Sequence, residues 1–334
     1  MRKVGILMLV GVMMFMVVGI SGAQAASTKV AMVVAGTLGD RSFYDSGNEG
    51  LMQASKELGV ETKVFECRNV PSAFSEQIIA AAQSYEVVFT IGWELVDPLL
   101  EIAPEFPEVK FIHIDAAIEG VANVSSLDYL ENEGSFVAGA MAAMMTKKTG
   151  DAKINDQNTI GAVGGMDIPV IRNFVAGYEA GAKYVDPTIK IEVGYVGSFE
   201  DPAKGKEMAL TIFNKGADII FQIAGNTGNG VIEAAREAGF YAIGVDSDQG
   251  YIAPGFIMGS MMKRVGLSIF ETIQKILDGS YKDGSIMTYG IAQNGVGMSK
   301  DEDMKKIVGD EVMEKLEEIE QGIVNGSIPV PERS

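Results

Sequence analysis

Short β-branched runs alternate with amphipathic stretches along almost the whole chain, and this constrains the fold more than any other feature. Lys29–Ala35, Val87–Ile91 and Val109–Ile114 read as strands, with helical spacing over Asn48–Leu58 and Pro98–Ala103. Strands so uniformly apolar are those of a parallel sheet covered on both faces, the helices serving as crossovers. The expected class is α/β. The alternation also repeats. Glu86-Val87-Val88-Phe89-Thr90-Ile91-Gly92 resembles Asp218-Ile219-Ile220-Phe221-Gln222-Ile223-Ala224, and the strand ending Ile114-Asp115 resembles the one ending Val245-Asp246. The offsets, 221 − 89 = 132 and 246 − 115 = 131, nearly agree. The strand–glycine–helix openings at Val30–Gly50 and Ile160–Gly181 match more loosely. Two lobes of like topology are expected, in line with the two domains that 334 residues suggest.

Composition narrows the chemistry. Asp plus Glu number 45 against 27 Lys plus Arg, a net charge of −18, which repels phosphate backbones and anionic lipid. Nucleic acid is not an expected partner. His113 is the only histidine and Cys67 the only cysteine. Neither a zinc site built on these residue types nor an intrachain disulfide is possible. His113 lies inside the strand Phe111–Ile114 and reads as a core residue, as do Met141, Met144 and Met145 on a helix. Cys67 reads as a partly buried thiol without chemistry.

Met1-Arg2-Lys3 is a basic start, Val4 to Gly22 carries no charge, and Ala23-Gln24-Ala25 is a small-x-small cleavage pattern. A secretory signal over residues 1–25, cleaved after Ala25, is expected. The alternative is an uncleaved anchor, since the run approaches the shortest spanning lengths. No cysteine follows it to carry a lipid. Without Arg2 and Lys3 the net charge becomes 25 − 45 = −20.

Ligands of open parallel sheets bind beyond the carboxyl ends of the strands. Two facing sheets would aim both sets of ends into one cleft. The loop Gly36–Tyr44 opens a helix and sets Phe43 and Tyr44 beside Asp40 and Ser42, which suits a flat, hydrogen-bonding ligand. Gly225-Asn226-Thr227-Gly228-Asn229-Gly230 fits neither phosphate-loop pattern and has no Lys or Arg beside it, so it reads as close backbone approach to an uncharged group or as a tight turn. Asp246 and Asp248 follow a strand and could accept from adjacent sugar hydroxyls or cap a helix. Asp115 is a further acceptor, Lys263 a cation near a lobe junction, and Trp93 a residue of the cleft or its rim.

These motifs resemble the basic membrane protein (BMP) family of ABC-importer substrate-binding proteins, which includes purine-nucleoside receptors. The resemblance runs from about Lys29 to Met298. It rests on Asp40-Arg41-Ser42-Phe43, Asn132-Glu133-Gly134-Ser135-Phe136, Gly164-Gly165-Met166-Asp167-Ile168-Pro169-Val170, Asp201-Pro202-Ala203-Lys204-Gly205-Lys206, Phe221-Gln222-Ile223-Ala224-Gly225 and Gly244-Val245-Asp246-Ser247-Asp248-Gln249. It implies a two-lobed type I periplasmic binding protein with a hinge, lobe 1 formed by 28–128 with 258–283 and lobe 2 by 129–257 with 284–330. It implies a non-catalytic, cofactor-free, metal-free monomer in the periplasm that hands a nucleoside, of purine type, to an inner-membrane permease. Phe43 and Phe221 would sandwich the base, Asp40 and Asp115 read its edge, and Asp246, the Gly225 backbone and Lys263 hold the ribose. Ser42, Tyr44, Trp93 and Met166 complete the expected ligand-binding set. Tyr44 stands where the family pattern usually has Asn. Flavin-like or sugar-like ligands and a sensory role are the alternatives, and a nucleoside hydrolase using Asp246 or Asp248 is the enzymatic one.

Overall fold

The computed structural model describes residues 27–333; the expected signal at 1–25 lies outside them. The first half runs β1 (Lys29–Val34), α1 (Phe43–Leu58), β2 (Glu61–Glu66), α2 (Pro71–Ala82), β3 (Val87–Ile91), α3 (Val96–Ile102), β4 (Lys110–Ile114) and β5 (Val124–Tyr129). The chain then passes through α4 (Glu131–Met145) into β6 (Thr159–Gly164), α5 (Pro169–Val185), β7 (Lys190–Tyr195), α6 (Pro202–Asn214), β8 (Ile219–Ile223), α7 (Gly228–Ala238), β9 (Tyr241–Asp246) and β10 (Ile257–Lys263). It closes with α8 (Val265–Leu277), β11 (Ile286–Tyr289), β12 (Val296–Met298), α9 (Glu302–Val308) and α10 (Asp310–Val324).

The strand orders are β2-β1-β3-β4-β5-β11 in one sheet and β7-β6-β8-β9-β10-β12 in the other. Adding five to each of the first five strand numbers of one sheet gives the other, so the repeat read from two short segments extends to the topology of both lobes. Every pairing is parallel except β10 with β12. The central strands are apolar and fully covered: β3 and β8 have no exposed residue. Helix α4 packs on α5 nearly backbone to backbone, since a β-carbon at Gly181 would fall 1.8 Å from the Phe136 carbonyl oxygen.

Three connections cross between the sheets, at Tyr129–Glu131, Lys263–Val265 and Tyr289–Val296. They shift the expected segment boundaries. Ile257–Lys263 belongs to the second sheet and Ile286–Tyr289 to the first, so the returning segment of lobe 1 runs from α8 through β11 and not over 258–283. The cause is order within each sheet: β10 lies beside β9 of its own lobe and ends at the junction, and β11 adds to β5. The tail returns as well, for the Arg333 guanidinium donates to both carboxylate oxygens of Asp128 at 2.7 and 2.6 Å.

Candidate functional site

A cavity of about 700 Å³, its mouth included, lies between the two sheets at the carboxyl ends of their strands, where open α/β sheets bind ligands. Lobe 1 contributes Asp40, Phe43 and Tyr44 after β1, Trp93 and Glu94 after β3, and Asp115 after β4. Lobe 2 contributes Ile168, Val170, Ile171 and Phe174 after β6, Phe199 and Glu200 after β7, Gly225 and Asn226 after β8, Asp246 at the end of β9, and Lys263 at the end of β10. Eight of the eleven residues expected from sequence are therefore brought together: Asp40, Phe43, Tyr44, Trp93, Asp115, Gly225, Asp246 and Lys263.

The loop before α1 is built by Asp40. Its carboxylate accepts from the backbone N–H of Ser42 (3.0 Å), Tyr44 (2.9 Å) and Asp45 (3.1 Å), so it caps the helix and fixes where Phe43 and Tyr44 point. Burial pushes this carboxyl up to about 6 against the pull of those amides. Asp40 thus spends its acceptors on backbone and is poorly placed to read a ligand edge.

Lys263 organises the inner end. Its ammonium pairs with Asp115 and lies 3.0 Å from Glu131, with the ring centroids of Tyr129, Phe43 and Phe174 at 5.0, 5.1 and 5.4 Å. Burial opposes the charged amine, but Asp115, Glu131 and Asp246 outweigh it and hold the lysine protonated. Burial raises Asp246 to about 7 despite Lys263 and the Ser42 hydroxyl, and raises Glu131 likewise. Asp115 and Asp246 share a backbone peculiarity, φ of 84° and 64°, in the left-handed region that non-glycine residues seldom enter. They are the same position in the two halves of the repeat. Both strands end by turning a carboxylate toward one lysine, a strain typical of sites that hold ligands.

Three expected residues stand elsewhere. Phe221 does not face the cavity: it sits in mid-strand on β8, fully buried against Tyr178 and Phe174 at 5.3 and 6.4 Å between ring centroids. Ile223, two residues further and on the same side of the strand, is the one that reaches the cavity. Ser42 is buried and donates its hydroxyl to Asp246, tying lobe 1 to lobe 2. Met166 lies in the turn after β6, outside the cavity wall, where its carbonyl accepts from Ile168. Sequence reasoning missed Phe199 and Glu200. The signal was available in the strand run Ile189–Tyr195 followed by Gly197, an end like the others.

Residues expected to be inert are so placed. His113 is buried on β4 with Nδ1 2.9 Å from the Thr90 hydroxyl, and burial lowers it to about 4 despite Asp115. Cys67 is buried, and burial followed by Glu94 pushes its thiol up to about 12. Met141 and Met145 are in the core. Among the described residues no group of three or more His, Cys, Asp and Glu is placed to hold a metal ion, and no helix is long and apolar enough to cross a membrane.

Residues 27–334 match the family model described as ABC transporter substrate-binding protein PnrA-like. The chain belongs to the BMP family. It is 32% identical over 337 residues to the ABC transporter nucleoside-binding protein BmpA of Lactococcus lactis, covering 94% of this chain and 92% of that one. Basic membrane protein A1 of Borrelia garinii is 31% identical over 320 residues, with coverage of 94% and 91%. Among solved structures, an ABC transporter solute-binding protein from Aeropyrum pernix superposes with a TM-score of 0.82 at 27% identity, covering 91% of this chain and 94% of that one. The protein is thus a substrate-binding component of an ABC transporter with the type I periplasmic binding fold, and not an enzyme. Its place is outside the cytoplasmic membrane, between a small molecule and a permease.

Proposed function

We propose that this BMP-family receptor captures a nucleoside, of purine type, in the cleft between its lobes and presents it to the permease. The observation that carries the reading is the cavity wall: an aromatic ring from each lobe, Phe43 and Phe199, with hydroxyl-binding carboxylates and one amine at the inner end. In this reading Phe199 takes the part that the family resemblance implied for Phe221. A flat base between two rings gains stacking that a saturated sugar ring cannot. Asp115, Asp246 and Lys263 supply acceptors and a donor for vicinal hydroxyls. Five carboxylates (Asp40, Glu94, Asp115, Glu200 and Asp246) line the cavity against a lysine already paired twice, so a nucleotide phosphate would meet uncompensated negative charge. The nucleoside-binding name of the Lactococcus relative points the same way. The receptor would be exported by the signal at 1–25 and act as a monomer.

Small molecules released on denaturing the purified protein, identified by mass spectrometry, test this, together with titration calorimetry against inosine, guanosine, adenosine, riboflavin and ribose. A purine nucleoside recovered or bound supports the reading. Riboflavin or ribose bound, with the three nucleosides rejected, overturns it and leaves the receptor fold intact.

A further inference from the structure

The cavity is also lined by Tyr44, Trp93, Glu94, Glu200 and Asn226, none of them among the groups that hold Lys263. Glu94 comes from lobe 1 and Glu200 from lobe 2, and both carboxylates come near Tyr44. A β-carbon at Gly92 would stand 3.0 Å from the Glu94 carboxylate and 3.5 Å from the Tyr44 hydroxyl. One at Gly36 would stand 2.7 Å from the Tyr44 ring and 3.1 Å from the Glu200 carboxylate. Glycine at both positions leaves room for that approach. Glu200 is braced by the Asn226 side-chain amide at 3.1 Å, and Glu94 turns back on its own backbone N–H. Glu94, raised mainly by burial, also feels Glu200 as a like charge, and both glutamates bear on Tyr44.

Carboxylates accept hydrogen bonds and cannot donate them, so two of them facing one space call for a ligand rich in donors. Lys263 is the only basic side chain among the described residues lining the cavity, and it is engaged by Asp115 and Glu131. Asp40, the expected reader of the base, is committed to the helix. The missing donors must come from the ligand. A 2-amino-6-oxopurine offers them side by side, its N1–H and 2-amino group pointing the same way, in a geometry that a carboxylate accepts in parallel. A 6-oxopurine without the 2-amino group offers one. A 6-aminopurine sets a lone pair at N1 against the carboxylate.

We propose that Glu94 and Glu200 together make this receptor selective for guanine-type nucleosides. This rests on the nucleoside reading above and adds the edge that is recognised. Binding a donor edge also relieves the repulsion of the two glutamates across the cleft, so recognition favours closing the lobes.

The test is titration calorimetry with guanosine, inosine and adenosine on the wild type, Glu94→Gln and Glu200→Gln, with thermal unfolding of each protein as a folding control. The expected preference of the wild type for guanosine over inosine is about tenfold or more, the loss of one hydrogen bond to a charged group. In the variants that ratio falls toward one and adenosine gains relative to guanosine, because an amide can donate to N1. A ratio unchanged in both folded variants, or a wild type that prefers adenosine, overturns the proposal with the nucleoside reading intact. If the wild type binds none of the three, the reading itself fails and takes the proposal with it.

Discussion

Replacing Phe221 by alanine should weaken the fold and leave ligand affinity nearly unchanged, and Phe199→Ala should do the reverse. Phe221 is fully buried in mid-strand, packed on Tyr178 and Phe174 behind the cavity wall. Truncating a phenylalanine in such a place costs about 3–5 kcal/mol, part transfer and part cavity. At roughly 2 °C or a little more per kcal/mol for a chain of this size, Tm should fall by about 6–15 °C. Phe199 lines the cavity from the loop after β7 and is only partly buried. Its ring covers Gly165, where a β-carbon would lie 2.3 Å away, so it is held in place. As a stacking face it is worth about 1–3 kcal/mol by truncation, or roughly 5- to 150-fold in Kd. Scanning calorimetry and titration with inosine, run well below the lower Tm, separate the two effects. If Phe221→Ala loses as much affinity as Phe199→Ala while keeping its Tm, the placement of the aromatic wall argued here is wrong.

The buried charges give two further expectations. Lys263→Met would leave Asp115 and Glu131 without their cation; breaking a buried pair costs about 3–5 kcal/mol, so a large loss of Tm and of inosine binding is expected, and a variant as stable as the wild type would refute the cluster's role. Asp40 and Asp246 titrate at about 6 and 7 in the fold, above the unfolded value near 4; their stabilisation is complete below about pH 4 and is lost as pH rises through 6 and 7. His113, lowered to about 4, works against them between pH 4 and 6.5. Two carboxyls outweigh one imidazole, so urea stability should fall from pH 5 to 7.5, and fall less in Asp246→Asn. A wild type that gains stability over that range, or a variant with the same slope, would contradict the assignment.

The strand ends were legible in the sequence because a parallel strand announces itself by a mostly apolar run and its end by the residues just past that run. Asp115 and Asp246 directly follow the last apolar residue of their strands, and Gly225 comes one residue later. Phe221 shows its limit. The repeat had already paired Phe221 with Phe89, and both are fully buried in mid-strand; distance along the strand, at about 3.3 Å per residue, keeps such a ring from the cleft. A motif match that begins at a phenylalanine, as Phe221–Gly225 does, gives no such distance. Phe199 and Glu200 were missed because β7 is an edge strand with partly exposed residues, and its weaker apolar pattern drew less notice. The path by which Arg333 returns to Asp128 depends on a contact between distant segments that no local pattern carries.

The same short loop before α1 serves both the cavity wall and the contact between the lobes. Phe43 and Tyr44 face the cavity, and the residues just before them are gripped by lobe 2. Ser42 donates to Asp246, the Gln249 side chain donates to the Arg41 carbonyl at 2.9 Å, and the Asn229 side chain approaches the Asp40 carbonyl at 3.4 Å. Across the floor, Lys263 of lobe 2 holds Asp115 of lobe 1. A molecule that fills the cavity therefore lies beside contacts that join the lobes, and a change in those contacts moves the aromatic wall. Binding and closure are then one equilibrium read at two places. That coupling is what a receptor needs if a permease is to tell its loaded form from its empty one by the arrangement of the lobes alone.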